Sequence, residues 1–187
     1  MLTKKIILIG GSAGSFRVVN RMISVFPSGY HHYVIFCLHR LKNIRNGFVE
    51  ALSANARLPV KEPLDKDPVK TGTLYLAPAN YHIMTDHGFH FSLSVEDTVN
   101  HSRPSIDILF ETAAEVYSNR CIGILLSGAN SDGAKGMEKI KNAGGTTIIQ
   151  DPENCEIPYM PNACLRLFKS DFVLNADKIV NFIRDLK

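Results

Sequence analysis

The chain has 187 residues, 45% hydrophobic and 21% charged, with a formal net charge of +3. A chain of this length buries roughly 70% of its unfolded surface, so one core suffices without disulfide or metal staples. The balance excludes disordered, collagenous and coiled-coil classes. The small net charge and the scatter of the basic residues give no nucleic-acid stripe, and no apolar run approaches the ~18–20 residues of a membrane span.

The basic start, Met1 to Lys5, is followed only by Ile6-Ile7-Leu8-Ile9 before Gly10-Gly11. A secretory signal needs an apolar stretch of about 7–15 residues, so Lys4 to Ile9 reads as a buried first strand and the chain as cytoplasmic. A small-residue loop, Gly10 to Ser15, leads into a helix. Its apolar positions, Phe16, Val18, Val19, Met22, Ile23 and Phe26, recur at helical spacing until Pro27-Ser28-Gly29. Tyr33 to Leu38 is an all-apolar strand. Val49 and Leu52 mark a second helix reaching towards Pro59, and a short strand and turns follow to Thr71. Thr73 to Ala77 is a strand closed by Pro78. Tyr81 to Met84 and Phe89 to Val95 flank Thr85-Asp86-His87-Gly88, which predicts an antiparallel hairpin.

Pro104 predicts a helix start, with Ile106, Leu109, Phe110, Ala113, Ala114 and Tyr117 on one face. Cys121 to Leu126 is a strand that runs into Ser127-Gly128-Ala129-Asn130-Ser131-Asp132-Gly133, and a helix follows to about Asn142. Ala143-Gly144-Gly145 caps it. Thr146 to Gln150 is a strand, Pro161 to Phe168 a helix, Phe172 to Leu174 a strand, and Ala176 to Leu186 the closing helix. The alternation of elements, with strands that lack a polar face, predicts an α/β fold. It is a doubly wound, mostly parallel sheet with helices on both faces and one antiparallel β-hairpin. With no internal repeat or linker, residues 1–187 read as a single domain.

Folds of this class bind ligands beyond the carboxyl ends of their strands. Three such ends carry Ser12, His39 and Asp132, the inventory of a hydrolytic triad. Ser12 lies between a strand and a helix N-terminus, where developing negative charge is favoured. His39 follows a rigid strand and has an imidazole suited to taking a proton at neutral pH. Asp132 is placed to orient that imidazole. Each residue also has a plainer reading. A Ser in a Gly-rich loop is often an anion contact, and an Asp before Gly is often a turn or a cap. The Gly-rich loop admits a dinucleotide reading too, but G-x-G-x-x-G is not met and the second strand ends in His39-Arg40 with no acidic residue. Arg40 reads equally as a solvated charge or as a partner for a neighbouring carboxylate.

Cys37, Cys121, Cys155 and Cys164 have no C-x-x-C spacing and no export context, so they read as free thiols. His82, His87 and His90 cluster, but carboxylate or Cys partners at metal spacing are missing. No metal or organic cofactor is expected.

Several stretches together resemble one family. They are Arg103-Pro104-Ser105-Ile106-Asp107-Ile108-Leu109-Phe110, Gly123-Ile124-Leu125-Leu126-Ser127-Gly128, and Asp132-Gly133-Ala134-Lys135-Gly136-Met137. Leu74-Tyr75-Leu76-Ala77-Pro78 with His82, Gln150-Asp151 before Cys155, and Met160-Pro161 extend the match over nearly the whole chain. The sequence resembles the catalytic domain of the chemotaxis-receptor protein-glutamate methylesterase family (CheB-type). That resemblance implies hydrolysis of glutamate methyl esters on bacterial chemoreceptors, with release of methanol, and deamidation of glutamine at such sites. It puts the nucleophile on Ser12, the base on His39 and the third member on Asp132. It also implies oxyanion or substrate-loop contacts at Ala13, Gly128 and Ala129.

The flanks depart from the family's usual pattern: Ser12-Ala13-Gly14-Ser15 stands for Ser-Thr-Gly-Gly, and Leu38-His39-Arg40-Leu41 for Gln-His-Met-Pro. These changes keep open an alternative, a non-catalytic module that docks on receptor helices or a signalling partner. The implied partners are the cytoplasmic helices of methylated chemoreceptors, without membrane insertion. In the family the hydrolase domain commonly follows a phosphorylatable receiver domain. The first strand here starts close to Met1, so no receiver domain is expected in these 187 residues, and phosphorylation control would come from a separate chain.

Overall fold

The computed structural model describes residues 4–40 and 47–186. Met1 to Thr3 of the basic start, and Leu41 after the candidate base, lie outside the described residues. In chain order the elements are β1 (Ile6–Gly11), α1 (Phe16–Val25), β2 (Tyr33–Leu38), α2 (Phe48–Ser53), β3 (Val60–Lys61), β4 (Leu74–Leu76), β5 (His82–Thr85) and β6 (Phe91–Ser94). Then come α3 (Ile106–Tyr117), β7 (Cys121–Leu125), α4 (Ala134–Asn142), β8 (Thr146–Gln150), α5 (Tyr159–Leu167), β9 (Phe172–Leu174) and α6 (Ala176–Asp185). Short 3-10 turns at Ser118–Arg120 and Pro152–Asn154 have no counterpart in the sequence reading.

Seven strands form one sheet in the order β3-β4-β2-β1-β7-β8-β9, and every pairing in it is parallel. β5 and β6 make a separate antiparallel pair. The alternation of side chains along β1 explains why its whole length is buried. Ile6 and Leu8 join a core with α3, α4 and the hairpin, including Leu109, Phe110, Met137 and Phe91. Ile7 and Ile9 join a core on the opposite face with α1 and α6, including Met22, Ile23, Ile179 and Ile183. Both faces are covered, so no strand needs a polar side.

The departures from expectation have local causes. β1 runs on through Gly10 and Gly11, which pair with Cys37 and Leu38 of β2. A Cβ on Gly10 would lie 2.6 Å from Ile106 Cγ2, so glycine lets α3 rest on the strand end. α2 ends at Ser53, well before Pro59, and the Ala56 amide turns back to the Ser53 carbonyl. The hairpin turn is longer than four residues because the Asp86 carboxylate accepts hydrogen bonds from the Gly88 and His90 amides. α3 starts at Ile106, two residues after Pro104, because Ser105 caps it, accepting from the Ile108 amide. α5 starts at Tyr159, which puts Pro161 inside its first turn, where the missing N–H costs nothing.

The chain changes direction between β1 and its two neighbours. β2 leaves to one side and β7 stands on the other, so the loops after β1 and β7 diverge and open a crevice at the carboxyl edge of the sheet.

Candidate active site

The crevice holds a cavity of about 380 Å³, lined by Ser12, Ala13, His39, Arg40, Ser102 and Asn130 among others. Ser12 follows β1, His39 follows β2, and Asp132 ends the loop after β7. The His39 amide donates to the Gly11 carbonyl and the Ser12 amide to the Ser127 carbonyl, at 3.0 and 2.9 Å. These two bonds tie the three strand ends together before any side chain is considered. Ser127, fully buried, adds a second tie: its hydroxyl is 2.9 Å from the Ala13 carbonyl, and it accepts from the Ile157 amide at 3.0 Å.

His39 Nε2 lies 2.7 Å from Asp132 Oδ2. Asp132 has no exposed surface, yet its carboxylate receives four further hydrogen bonds. The donors are the Ser105 hydroxyl at 2.8 Å, the Ile106 amide at 2.7 Å, and the Asp107 amide and Asn100 Nδ2, each at 3.2 Å. Three of the donors belong to the start of α3, so the free amides and positive end of that helix receive the charge. Burial pushes the Asp132 carboxyl up. The hydrogen bond from His39, the Ile106 amide, the imidazolium charge and the Ser105 hydroxyl outweigh it, and the net shift is below the usual carboxylate range.

Gly133 lets the chain leave Asp132 and enter α4. Its φ is +93°, and a Cβ there would sit 2.7 Å from Leu125 Cδ1 and 2.8 Å from Ile106 Cγ2.

With Nε2 turned to Asp132, Nδ1 is the imidazole nitrogen left for chemistry. It lies 3.4 Å from the hydroxyl of Ser102, a residue of the cavity wall. Ser12 shares that cavity, but its hydroxyl makes no hydrogen bond among the described residues. The structure thus brings the expected base and its expected orienting carboxylate into direct contact and sets the expected nucleophile in the same cavity, unbonded among the described residues. Geometry of this kind is common before substrate binds.

The three expected oxyanion positions behave differently. The Ala13 amide faces no acceptor among the described residues, and Ala13 lines the cavity. The Ala129 amide is equally free, but Ala129 borders a neighbouring depression with Asn130, Ser131 and Tyr159. The Gly128 amide is already committed to the Ile157 carbonyl at 3.0 Å. Gly128 serves close packing instead, since a Cβ there would lie 2.5 Å from Met160 Cε and 3.0 Å from Ser12 Cβ.

Sequence reasoning missed the shell around Asp132. Asn100 donates to both Asp132 and Asp107, and it does so from a left-handed conformation, φ +49°, with His101 at φ +62° beside it. Such strain at non-glycine residues clusters at functional sites. Asn130 Nδ2 ties this segment down through the Asn100 carbonyl and the Ser102 hydroxyl, both at 3.0 Å. Asp107 also accepts from the Gly136 amide at 2.8 Å. Burial raises its carboxyl to about 6; the Gly136 hydrogen bond opposes this, and the Asp132 and Glu111 charges add to it.

His82 is structural: its Nδ1 accepts from the Ser105 amide at 3.2 Å and its Nε2 donates to the Asp97 carbonyl at 2.9 Å. No group of three or more metal-ligating side chains forms among the described residues, and no helix there is long and apolar enough to cross a membrane.

The family model described as CheB methylesterase matches residues 7–183. A curated relative from Leptospira interrogans (strain Fiocruz L1-130) is 39% identical over 179 residues, covering 95% of this chain and 93% of that protein. The protein-glutamate methylesterase/protein-glutamine glutaminase of Thermotoga maritima is 33% identical over 94% of this chain, which spans 52% of the relative's length. The crystal structure of the Thermotoga maritima CheB methylesterase catalytic domain superposes with a TM-score of 0.92 at 32% identity, covering 100% of both chains. The chain therefore belongs to the CheB methylesterase family.

Proposed function

We propose that the protein is a carboxylic ester hydrolase that removes methyl groups from glutamate side chains of chemoreceptors. Ser12, His39 and Asp132 carry the reaction. The observation that supports this best is the 2.7 Å contact from His39 Nε2 to a fully buried Asp132, with Ser12 in the same cavity. The names of the relatives add the substrate class and a second activity, deamidation of glutamine.

In this reading Ser12 Oγ attacks the ester carbonyl while His39 Nδ1 takes its proton. Asp132 fixes the tautomer with Nε2 protonated and stabilises the imidazolium that forms. The Ala13 amide and the free amide of Ala129 are the donors closest in kind to an oxyanion site; the Gly128 amide is spent. His39 returns the proton to the departing methoxide, so methanol leaves and an acyl-enzyme on Ser12 remains. Water, deprotonated by the same nitrogen, then releases the glutamate carboxylate and restores the Ser12 hydroxyl. With glutamine as substrate the leaving group is ammonia and the steps are the same. No step calls for a group beyond these side chains and water.

Methanol release from a peptide carrying a glutamate γ-methyl ester tests the reading. Ser12→Ala is expected to lower turnover by on the order of 10⁶ if the three residues act as a unit. Turnover of the variant near the wild-type rate overturns it.

A further inference from the structure

We propose that Arg40 is a carboxylate-reading residue, so that the preferred ester lies beside an acidic side chain in the substrate. The inference rests on the esterase reading above and narrows its substrate.

Three observations point the same way. First, Arg40 lines the cavity one residue after the base, and its side chain is only 3% exposed. Second, its donors are underused. Nη2 meets Glu62 and the Ala77 carbonyl, the latter at 2.8 Å, and the guanidinium lies 5.2 Å from the centroid of the Phe48 ring. Nε and Nη1 are buried with no acceptor among the described residues. A buried donor left unpaired costs its desolvation without return, and such a group calls for a partner that completes it. Third, the cavity wall carries two guanidinium groups. Arg40 and Arg103 line it, and among the described residues no Asp or Glu does. Arg103 is already spent on Asn80 and on the carbonyls of Val95 and Glu96. Arg40 alone among these has free donors and a fork geometry that fits a carboxylate.

Glu62, one-third exposed, then acts as the resting counter-ion. An acidic side chain entering with the ester competes with Glu62 for Nη2 and supplies acceptors to the nitrogens that have none. The guanidinium turns towards the cavity as it does so. A wall with two guanidinium groups also favours the approach of acidic segments.

The test uses two synthetic peptides, each with one glutamate γ-methyl ester, flanked by Glu in one and by Gln in the other. Wild-type protein is expected to prefer the Glu-flanked peptide in kcat/KM by about tenfold or more, mostly through KM. Arg40→Met should bring the ratio near one, and Glu62→Gln should raise it. The double variant R40M/E62Q leaves no stranded Glu62 and should also give a ratio near one, and Arg40→Lys should keep only part of the preference. Thermal melting checks that each variant folds. If R40M does not, the shifts in E62Q and R40K carry the test. A wild-type ratio near one, an unchanged ratio in R40M, or a lower ratio in E62Q overturns the proposal.

Binding of the same peptides to Ser12→Ala, read by fluorescence anisotropy, separates the two claims. Failure of wild type to release methanol, with the Glu-flanked peptide still bound more tightly through Arg40, removes the esterase reading and keeps the carboxylate site. Equal binding of the two peptides removes the site.

Discussion

The end of β2 carries two basic residues side by side, His39 and Arg40, and the fold treats them in opposite ways. His39 meets an Asp132 that is saturated with hydrogen bonds. Five donors converge on that carboxylate, most of them from the start of α3. Arg40 is as well buried, yet two of its three nitrogens find no acceptor among the described residues. A saturated network resists displacement and fixes geometry, whereas unused donors leave capacity for an incoming group. The first corner is suited to moving a proton along one path, the second to telling one substrate from another. The same α3 start divides a pair of buried carboxylates: Asp132 is held below the usual range and Asp107 is pushed up to about 6.

The largest effect short of removing the nucleophile is expected from breaking the saturated corner. Asp132→Asn puts an NH2 group where the pocket offers only donors, so the imidazole loses both its orientation and the stabilisation of its charge. Turnover should fall by about 10⁴, measured as methanol release at saturating ester. The melting temperature should fall too, since the α3 amides lose a charged acceptor. Unchanged turnover would mean that His39 needs no orienting partner.

Asp107 gives the next effect, on stability. Its folded-state value of about 6 lies above the ordinary 3.8. Between those two pH values the folded state binds more protons than the unfolded one, so this group's contribution to stability falls as pH rises. The shift corresponds to about 3 kcal/mol once pH passes 6. Asp132 has the opposite sign: its contribution is full above the ordinary carboxylate range and is lost as pH falls through its lowered value. Urea unfolding of wild type and Asp107→Asn from pH 4 to 7 reads the difference. The variant should gain on wild type as pH rises, and a constant gap across that window would mean that Asp107 titrates normally.

The smallest effect belongs to Ser102. Its hydroxyl sits 3.4 Å from His39 Nδ1, at the weak end of hydrogen-bond reach. Ser102→Ala should change turnover by less than about tenfold, because the substituted contact is worth about 1 kcal/mol. A loss as large as that of Asp132→Asn would make Ser102 part of the proton path.

The comparison of the two corners also shows what the sequence could reveal. The apolar runs of β1, β2 and β7 and the residues at their ends were legible, because a parallel sheet makes both strand faces apolar and puts polar residues where the strands stop. That located Ser12, His39 and Asp132. Asn100, Ser102 and Ser105 were not legible as site residues. They come from the segment before α3, and only tertiary packing brings them to the β7 loop. Asp107 sits inside an apolar helical face, and its carboxylate role depends on the Gly136 amide of another helix. Gly128 read as part of an oxyanion loop, but its amide turned out to be spent on Ile157, a contact 29 residues away in sequence that no local pattern announces. In the sequence Arg40 reads as either a solvated charge or a carboxylate partner. Its burial rules out the solvated reading.

The central claim is that Ser12 becomes nucleophilic through His39. A serine-directed sulfonyl fluoride followed by peptide mass analysis tests it most directly. One adduct is expected on Ser12 in wild type, and none at that position within the same time in His39→Ala. An unlabelled Ser12 in protein that still releases methanol from the ester peptide would contradict the account.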